Sequence, residues 1–168
     1  MKRRQHELVE QAYRAYGHSV HRRASQILGD DHEAHDVTQE VFMALLDRPL
    51  RFEGRSELGT YLHAATTHAC LNRLRNRRNR DRLREVRAEE LEPSSGSIRP
   101  EVAASLRQVL AGLPEDEARA AVYHYLDGMS HGEIAEELGC ARRTVGDLLE
   151  RMRSRLAEAG RREARGGS

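Results

Sequence analysis

Three sets of residues in this chain are suited to binding rather than to building a core. Asp36, Gln39, Glu40 and Met43 recur at helical spacing and share a stripe with Asp47, while Ala34, Val37, Val41, Ala44 and Leu45 form an apolar stripe on the same helix. Carboxylates and an amide lying off the buried face suit either a plain solvated surface or a basic protein partner. The second set begins at a loop carrying Phe52, Gly54 and Arg55, and ends in an arginine arm. Arg73, Arg75, Arg77, Arg78, Arg80, Arg82, Arg84 and Arg87 stand against only Asp81 and Glu85, a local net charge of +6. No apolar residue interrupts positions 75–82, so that part of the arm must face solvent or a polyanion. The third set, Arg142, Arg143, Thr144, Gly146, Asp147, Glu150 and Arg151, falls on or beside the outer face of a basic helix near the C-terminus.

Catalytic chemistry finds little support. Nine histidines are many for 168 residues. Yet His63, His68 and Cys70, or His18/His21 with His32/His35, give no four-ligand zinc spacing, and no nucleophile motif or carboxylate pair accompanies them. No enzyme, metal or cofactor is expected. Cys70 and Cys140 are too few for a disulfide framework.

The elements that must position these sets are helices. Apolar content of 38%, 33% charged residues and a mean hydropathy of −0.77 leave little for one large core and favour two small helical domains. A first helix is expected over 8–28, with Val9, Ala12, Tyr16, Val20, Ala24 and Ile27 inward. It breaks at Gly29, and Asp30 or Asp31 caps the acidic helix. Arg48-Pro49 ends that helix. Ser56 is a good N-cap for a third, which buries Leu58, Leu62, Ala65 and Ala69 and runs through Leu71 and Leu74 into the arginines. EELEPSSGSIRP at 89–100 reads as a linker; a dozen extended residues reach roughly 40 Å at ~3.3–3.6 Å each.

Beyond it, Val102, Leu106, Val109, Leu110 and Leu113 give one stripe, and Ala118, Ala121, Val122, Tyr125 and Leu126 another that starts after Pro114. Ser130 and Glu133 have capping-box spacing, Ile134, Ala135 and Leu138 pack inward, and Gly139 suits a left-handed turn. Val145, Leu148, Leu149, Met152 and Leu156 form the inner stripe of the basic helix. A short helix, a glycine turn and a longer basic helix read as helix-turn-helix. The fold expected is all-α: two domains, 1–87 and 101–160, a linker at 88–100, and an unstructured basic tail at 161–168.

Charge is balanced globally at +1 but is divided along the chain. Residues 101–139 hold two arginines against eight acids, and 140–168 hold eight arginines against four. Such blocks suit two kinds of partner, a polyanion and a basic protein surface. MKRRQHELVE lacks the apolar core of a signal peptide and no run approaches a membrane span, so a cytoplasmic protein without membrane contact is expected.

DVTQEVF (36–42), RFEGRS (51–56), TYL (60–62) and CLNRLRNRR (70–78), in this order, resemble region 2 of bacterial RNA polymerase sigma factors. The segment GMSHGEIAEELGCARRTVGDLLERMRSRL resembles region 4, and the pairing is most similar to the extracytoplasmic-function (ECF) subgroup of the sigma-70 family. The resemblance implies a factor that binds core RNA polymerase, directs it to promoters and helps melt the −10 element. By it, Asp36, Gln39, Glu40 and Met43 dock on a coiled coil of the largest polymerase subunit. Phe52, Gly54, Arg55, Ser56, Tyr61, His68, Asn72, Arg73, Arg75, Arg77 and Arg78 meet the −10 region, with the last four suited to phosphate. Residues 142–144, 146, 147, 150 and 151 meet the −35 region in the major groove. The polymerase flap region and an anti-sigma factor are the further partners the family implies. Three departures stand out: Tyr61 where relatives often carry tryptophan, His68 and Asn72 where Asn and Asp are common, and Ala141 where a capping serine is frequent. The rival reading is a stand-alone helix-turn-helix regulator whose first domain senses a ligand or dimerises.

Overall fold

The computed structural model describes residues 2–47, 55–84 and 100–166. Every regular element among them is helical, and the fold is all-α as expected. The chain divides into two compact units, Met1–Arg107 and Gln108–Ser168.

In the first unit, α1 (Lys2–Leu28) packs on α2 (Asp31–Asp47) and on α3 (Arg55–Arg84). Val9, Ala12, Val20, Ala24 and Ile27 of α1 are buried, as their spacing predicts, and Leu28 joins them. Burying the valine, leucine and isoleucine side chains stabilises by about 1.5–3 kcal/mol each, and the alanine methyls contribute less. The helix starts well before residue 8. Part of the reason is Gln5, whose amide donates to the Leu46 carbonyl at 2.7 Å and to that of Leu45 at 3.3 Å, satisfying carbonyls at the end of α2. At the other end Gly29, at φ +67°, adopts the left-handed turn that closes α1. Asp30 then caps α2 by accepting from the Glu33 backbone N–H at 2.8 Å.

The buried face of α2 differs from expectation at three positions. Ala34, Val37, Val41 and Leu45 are buried, but so are Thr38 and Phe42, whereas Ala44 is exposed. The face is turned toward Phe42 because its ring meets the edge of Tyr13 from α1, centroids 5.1 Å apart. Thr38 is tolerated there because its hydroxyl donates to the Ala34 carbonyl at 2.8 Å. Helix α3 begins at Arg55, so Ser56 lies inside its first turn instead of preceding it. Its buried residues are Leu62, Thr66, Thr67, Cys70, Leu71 and Leu74, with Leu58, Ala65 and Ala69 half-buried.

The boundary between the units falls within α4 (Pro100–Gly112). Leu106, expected inward, is exposed; α4 buries Ala111 near its C-terminal end, followed by Leu113. In the second unit, α5 (Glu115–Ala121) runs into a π turn at Val122–Leu126, marked by the Asp127 N–H donating to the Val122 carbonyl at 3.2 Å. That wider turn breaks the expected register. Ala118, Ala121 and Val122 are buried, but Tyr123 takes the core position while Tyr125 and Leu126 are exposed.

Helix α6 (His131–Leu138) has the predicted capping box: Glu133 N–H donates to Ser130 Oγ at 3.3 Å, and Ser130 N–H to Glu133 Oε2 at 2.8 Å. Gly139, at φ +65°, closes it, with Cys140 N–H donating to Ala135 O and Gly139 N–H to Glu136 O. Helix α7 (Arg142–Gly166) then packs Val145, Leu148 and Leu149 against Tyr123, Ile134 and Ala135. It continues through 161–166, so those positions are helical rather than an unstructured tail. Alanine and arginine at 157, 159, 161 and 162 are good helix formers, which favours the continuation.

Candidate docking and nucleic-acid surfaces

The acidic stripe of α2 lies off the core, as its spacing requires. Gln39, Glu40 and Met43 are exposed, Met43 at 63%, while Asp36 is half-buried. Beside Gln39 and Met43 runs an open groove of about 530 Å³, floored by Val9, Tyr13, Phe42 and Leu46. An apolar groove edged by polar side chains has the anatomy of a protein interface: a dry centre and a wet rim. Val9 and Tyr13 escape a reading of α2 alone, because they come from α1. The available signal is Tyr13, a large aromatic off the apolar stripe of its own helix.

Helix α3 presents two different faces. On one, His68, Asn72 and Arg75 form a ladder: Asn72 Nδ2 lies 3.0 Å from His68 Nε2, and Arg75 donates to Asn72 Oδ1 at 3.1 Å. Tyr61, seven residues before His68, falls on the same face and is half-buried. Toward α2, Arg73 donates to Asp36 at 3.5 Å and to Glu40 at 3.3 Å, and Arg77 pairs with Glu33. The predicted polyanion-facing arginines are thus not equivalent: Arg73 and Arg77 are engaged with carboxylates, and Arg78 is half-exposed. Phe52 and Gly54 lie outside the described residues, and Arg55 and Ser56 are placed only as the first turn of α3.

Behind this surface sits a polar contact that spacing does not reveal. Arg23 of α1 is buried, and its Nε and Nη2 donate to Thr67 Oγ1 at 2.9 and 2.8 Å. Next to it, burial pushes the Cys70 thiol up to about 12, against the lowering influence of Arg23 and Arg73, so this cysteine is a packing residue.

On α7, Arg142, Arg143, Asp147 and Glu150 are exposed, and Thr144 and Gly146 are half-buried. Asp147 and Glu150 share a shallow surface concavity with Ser154 and Glu158. Arg151 differs from the others: together with Arg155 it pairs with Glu117 of α5, at 3.4 and 2.9 Å. Glu117 is itself buried, a partner no local pattern announces. At the start of α6, the hydrogen bonds from Ser130 hold the Glu133 carboxyl below the usual glutamate range. Among the described residues no three His, Cys, Asp or Glu side chains come together as a metal site. No helix among them is long and apolar enough to cross a membrane.

Comparison with known proteins bears on both units. The sigma-70 region 2 family matches residues 12–80, and the sigma-70, region 4 family matches residues 103–156. The ECF RNA polymerase sigma factor SigC of Mycobacterium tuberculosis is 30% identical over 131 residues, covering 77% of this chain and 71% of that protein. The RNA polymerase sigma-H factor of Pseudomonas aeruginosa is 27% identical, covering 86% of this chain and 81% of that protein. The ECF RNA polymerase sigma factor SigE of Mycolicibacterium smegmatis is 30% identical over 161 residues, covering 89% of this chain; the chain spans 60% of that longer protein. Two sigma-70 regions in order, and this identity over most of a relative's length, place the chain in the ECF group of sigma-70 family RNA polymerase sigma factors.

Proposed function

We propose that this chain binds core RNA polymerase, directs it to specific promoters and helps open the −10 element. The observation that carries the proposal is the face of α2 formed by Gln39, Glu40 and Met43, which stays exposed beside an apolar groove while the opposite face is buried. Such a face suits a basic coiled coil of the largest polymerase subunit. The ladder of His68, Asn72 and Arg75, with Tyr61 on the same face, is suited to an unpaired strand: an aromatic ring for stacking, amide and imidazole for base edges, a cation for phosphate. By family resemblance, Phe52, Gly54, Arg55 and Ser56 are further candidates for contact with the −10 element. Arg142, Arg143, Asp147 and Glu150 at the front of α7 are suited to base edges of the −35 element, where arginine pairs with guanine and a carboxylate accepts from cytosine. The region 4 unit is the candidate contact for the polymerase flap, and an anti-sigma factor would compete for these same surfaces.

The test is reconstituted transcription with core polymerase, with permanganate footprinting of unpaired thymines. Addition of the chain should produce both specific initiation and reactive thymines at −10. Phe52→Ala or Arg55→Ala should leave polymerase binding intact and slow the appearance of reactivity. Unchanged opening by both variants removes these residues from the melting site.

A further inference from the structure

Among the described residues of the second unit, Glu117 stands apart from the other acids because it is buried, at 3% exposure, in the first turn of α5. A carboxylate taken out of water persists only where cations and donors compensate it. Here both carboxylate oxygens are engaged: Oε1 lies 3.4 Å from Arg151 Nε, and Oε2 accepts from Arg155 Nε at 2.9 Å. The two arginines are one helical turn apart on α7, so a single carboxylate reaches both. They flank the buried stripe of Val145, Leu148, Leu149 and Met152, whereas Arg143, Asp147 and Glu150 lie on the outer face. Glu117 therefore ties the middle of α7 to α5 by a directional contact, where the apolar stripe alone would tolerate small rotations about the helix axis.

We propose that Glu117 is a positioning residue for promoter recognition: it holds Arg151 and Arg155 as anchors of α7, fixing the rotation at which the front of that helix meets the bases. This rests on the reading that α7 recognises the −35 element. Two consequences separate an anchor from a phosphate contact. An arginine that neutralises a phosphate on binding contributes about 0.9 to the slope of log affinity against log salt. Arg151, held by Glu117, contributes nothing to that slope. Glu117→Gln, which releases both arginines, makes the slope steeper and weakens discrimination between sequences.

The experiment uses holoenzyme reconstituted from the full chain and core polymerase. Its preferred −35 sequence is first selected from a randomised duplex, and affinity for this duplex and a scrambled one is then measured across a salt series. Wild type should discriminate the two. Arg151→Gln, which leaves Arg155 on Glu117, should keep the wild-type slope within about 0.3, whereas a phosphate contact would lower it by about 0.9. Glu117→Gln should steepen the slope by about 0.9 or more and reduce discrimination roughly tenfold, about one base contact's worth. Circular dichroism checks that each variant is folded; if Glu117→Gln is not, the Arg151→Gln slope decides alone. A slope lowered by about 0.9 in Arg151→Gln, or unchanged slope and discrimination in folded Glu117→Gln, overturns the anchor while leaving −35 recognition standing. A wild type that fails to discriminate overturns both.

Discussion

Arg73 of α3 reaches Glu40 of α2 at 3.3 Å, joining the start of the arginine arm to the stripe proposed to meet polymerase. Both side chains are in contact with solvent, Glu40 more than Arg73, so water and salt screen the pair. Exposed ion pairs of this kind contribute about 0.2–1 kcal/mol. Arg73→Ala removes this pair and the one with Asp36, and should therefore lower the stability of the first unit by no more than about 2 kcal/mol. Urea unfolding at low and high salt checks it: the difference from wild type should shrink as salt rises. A large, salt-independent loss would mean that Arg73 acts through packing.

Thr67 behaves differently, because its hydroxyl serves a buried guanidinium. Thr67→Val keeps the shape but removes the acceptor for Arg23 Nε and Nη2. Leaving a buried charged donor short of a partner costs about 1–3 kcal/mol. Chemical denaturation should show a loss in that range, with little change in helical circular dichroism at zero denaturant.

Helix α7 begins at Arg142 and follows Ala141, whose carbonyl accepts from Thr144 N–H at 2.9 Å but whose side chain can accept nothing. Ala141→Ser supplies that acceptor and should stabilise the second unit by about 1 kcal/mol. Thermal unfolding should show a raised midpoint; a lowered one would indicate that a side chain at this turn is poorly accommodated.

The two cysteines should separate cleanly in reactivity. Thiolate is the reacting form, and burial pushes Cys70 up to about 12, so it has almost no thiolate at neutral pH and little access. Cys140 is only partly buried, in the turn between α6 and α7. Titration with an aromatic disulfide reagent should modify Cys140 in the native protein, and Cys70 only after denaturant is added.

What could be read from the chain, and what could not, divides along a physical line. The capping box of Ser130 and Glu133 and the left-handed turn at Gly139 are local, set by residues within one turn of each other, and both appear as spacing predicts. The exposed stripe of Gln39, Glu40 and Met43 follows equally directly from helical periodicity. The departures in the two cores depend on contacts across helices or on an irregular backbone. Tyr125 and Leu126 leave the core because a π turn intervenes, and periodicity assumes a uniform helix. Ala44 loses its buried place to Phe42 because Tyr13 offers that ring a partner. Arg23 with Thr67, and Glu117 with Arg151 and Arg155, are pairings over 44, 34 and 38 residues that no local pattern encodes. They also change the reading of the arginines: as a row of charges they look alike, whereas in the fold some face solvent and others hold a carboxylate.

The central claim, that this chain works on core RNA polymerase through the exposed face of α2, is tested most directly by co-elution with core polymerase in gel filtration. Wild type and Glu40→Lys are compared. Glu40 lies outside the core, so the substitution removes one screened ion pair and should change stability by no more than about 1 kcal/mol. Against a basic surface the reversed charge can cost several kcal/mol, a loss of affinity on the order of a hundredfold or more. The prediction is that wild type co-elutes with core polymerase, while Glu40→Lys elutes separately with its helical spectrum and melting profile kept. A wild-type chain that ignores core polymerase and binds duplex DNA specifically on its own would contradict the claim, as would a Glu40→Lys variant that co-elutes as fully as wild type.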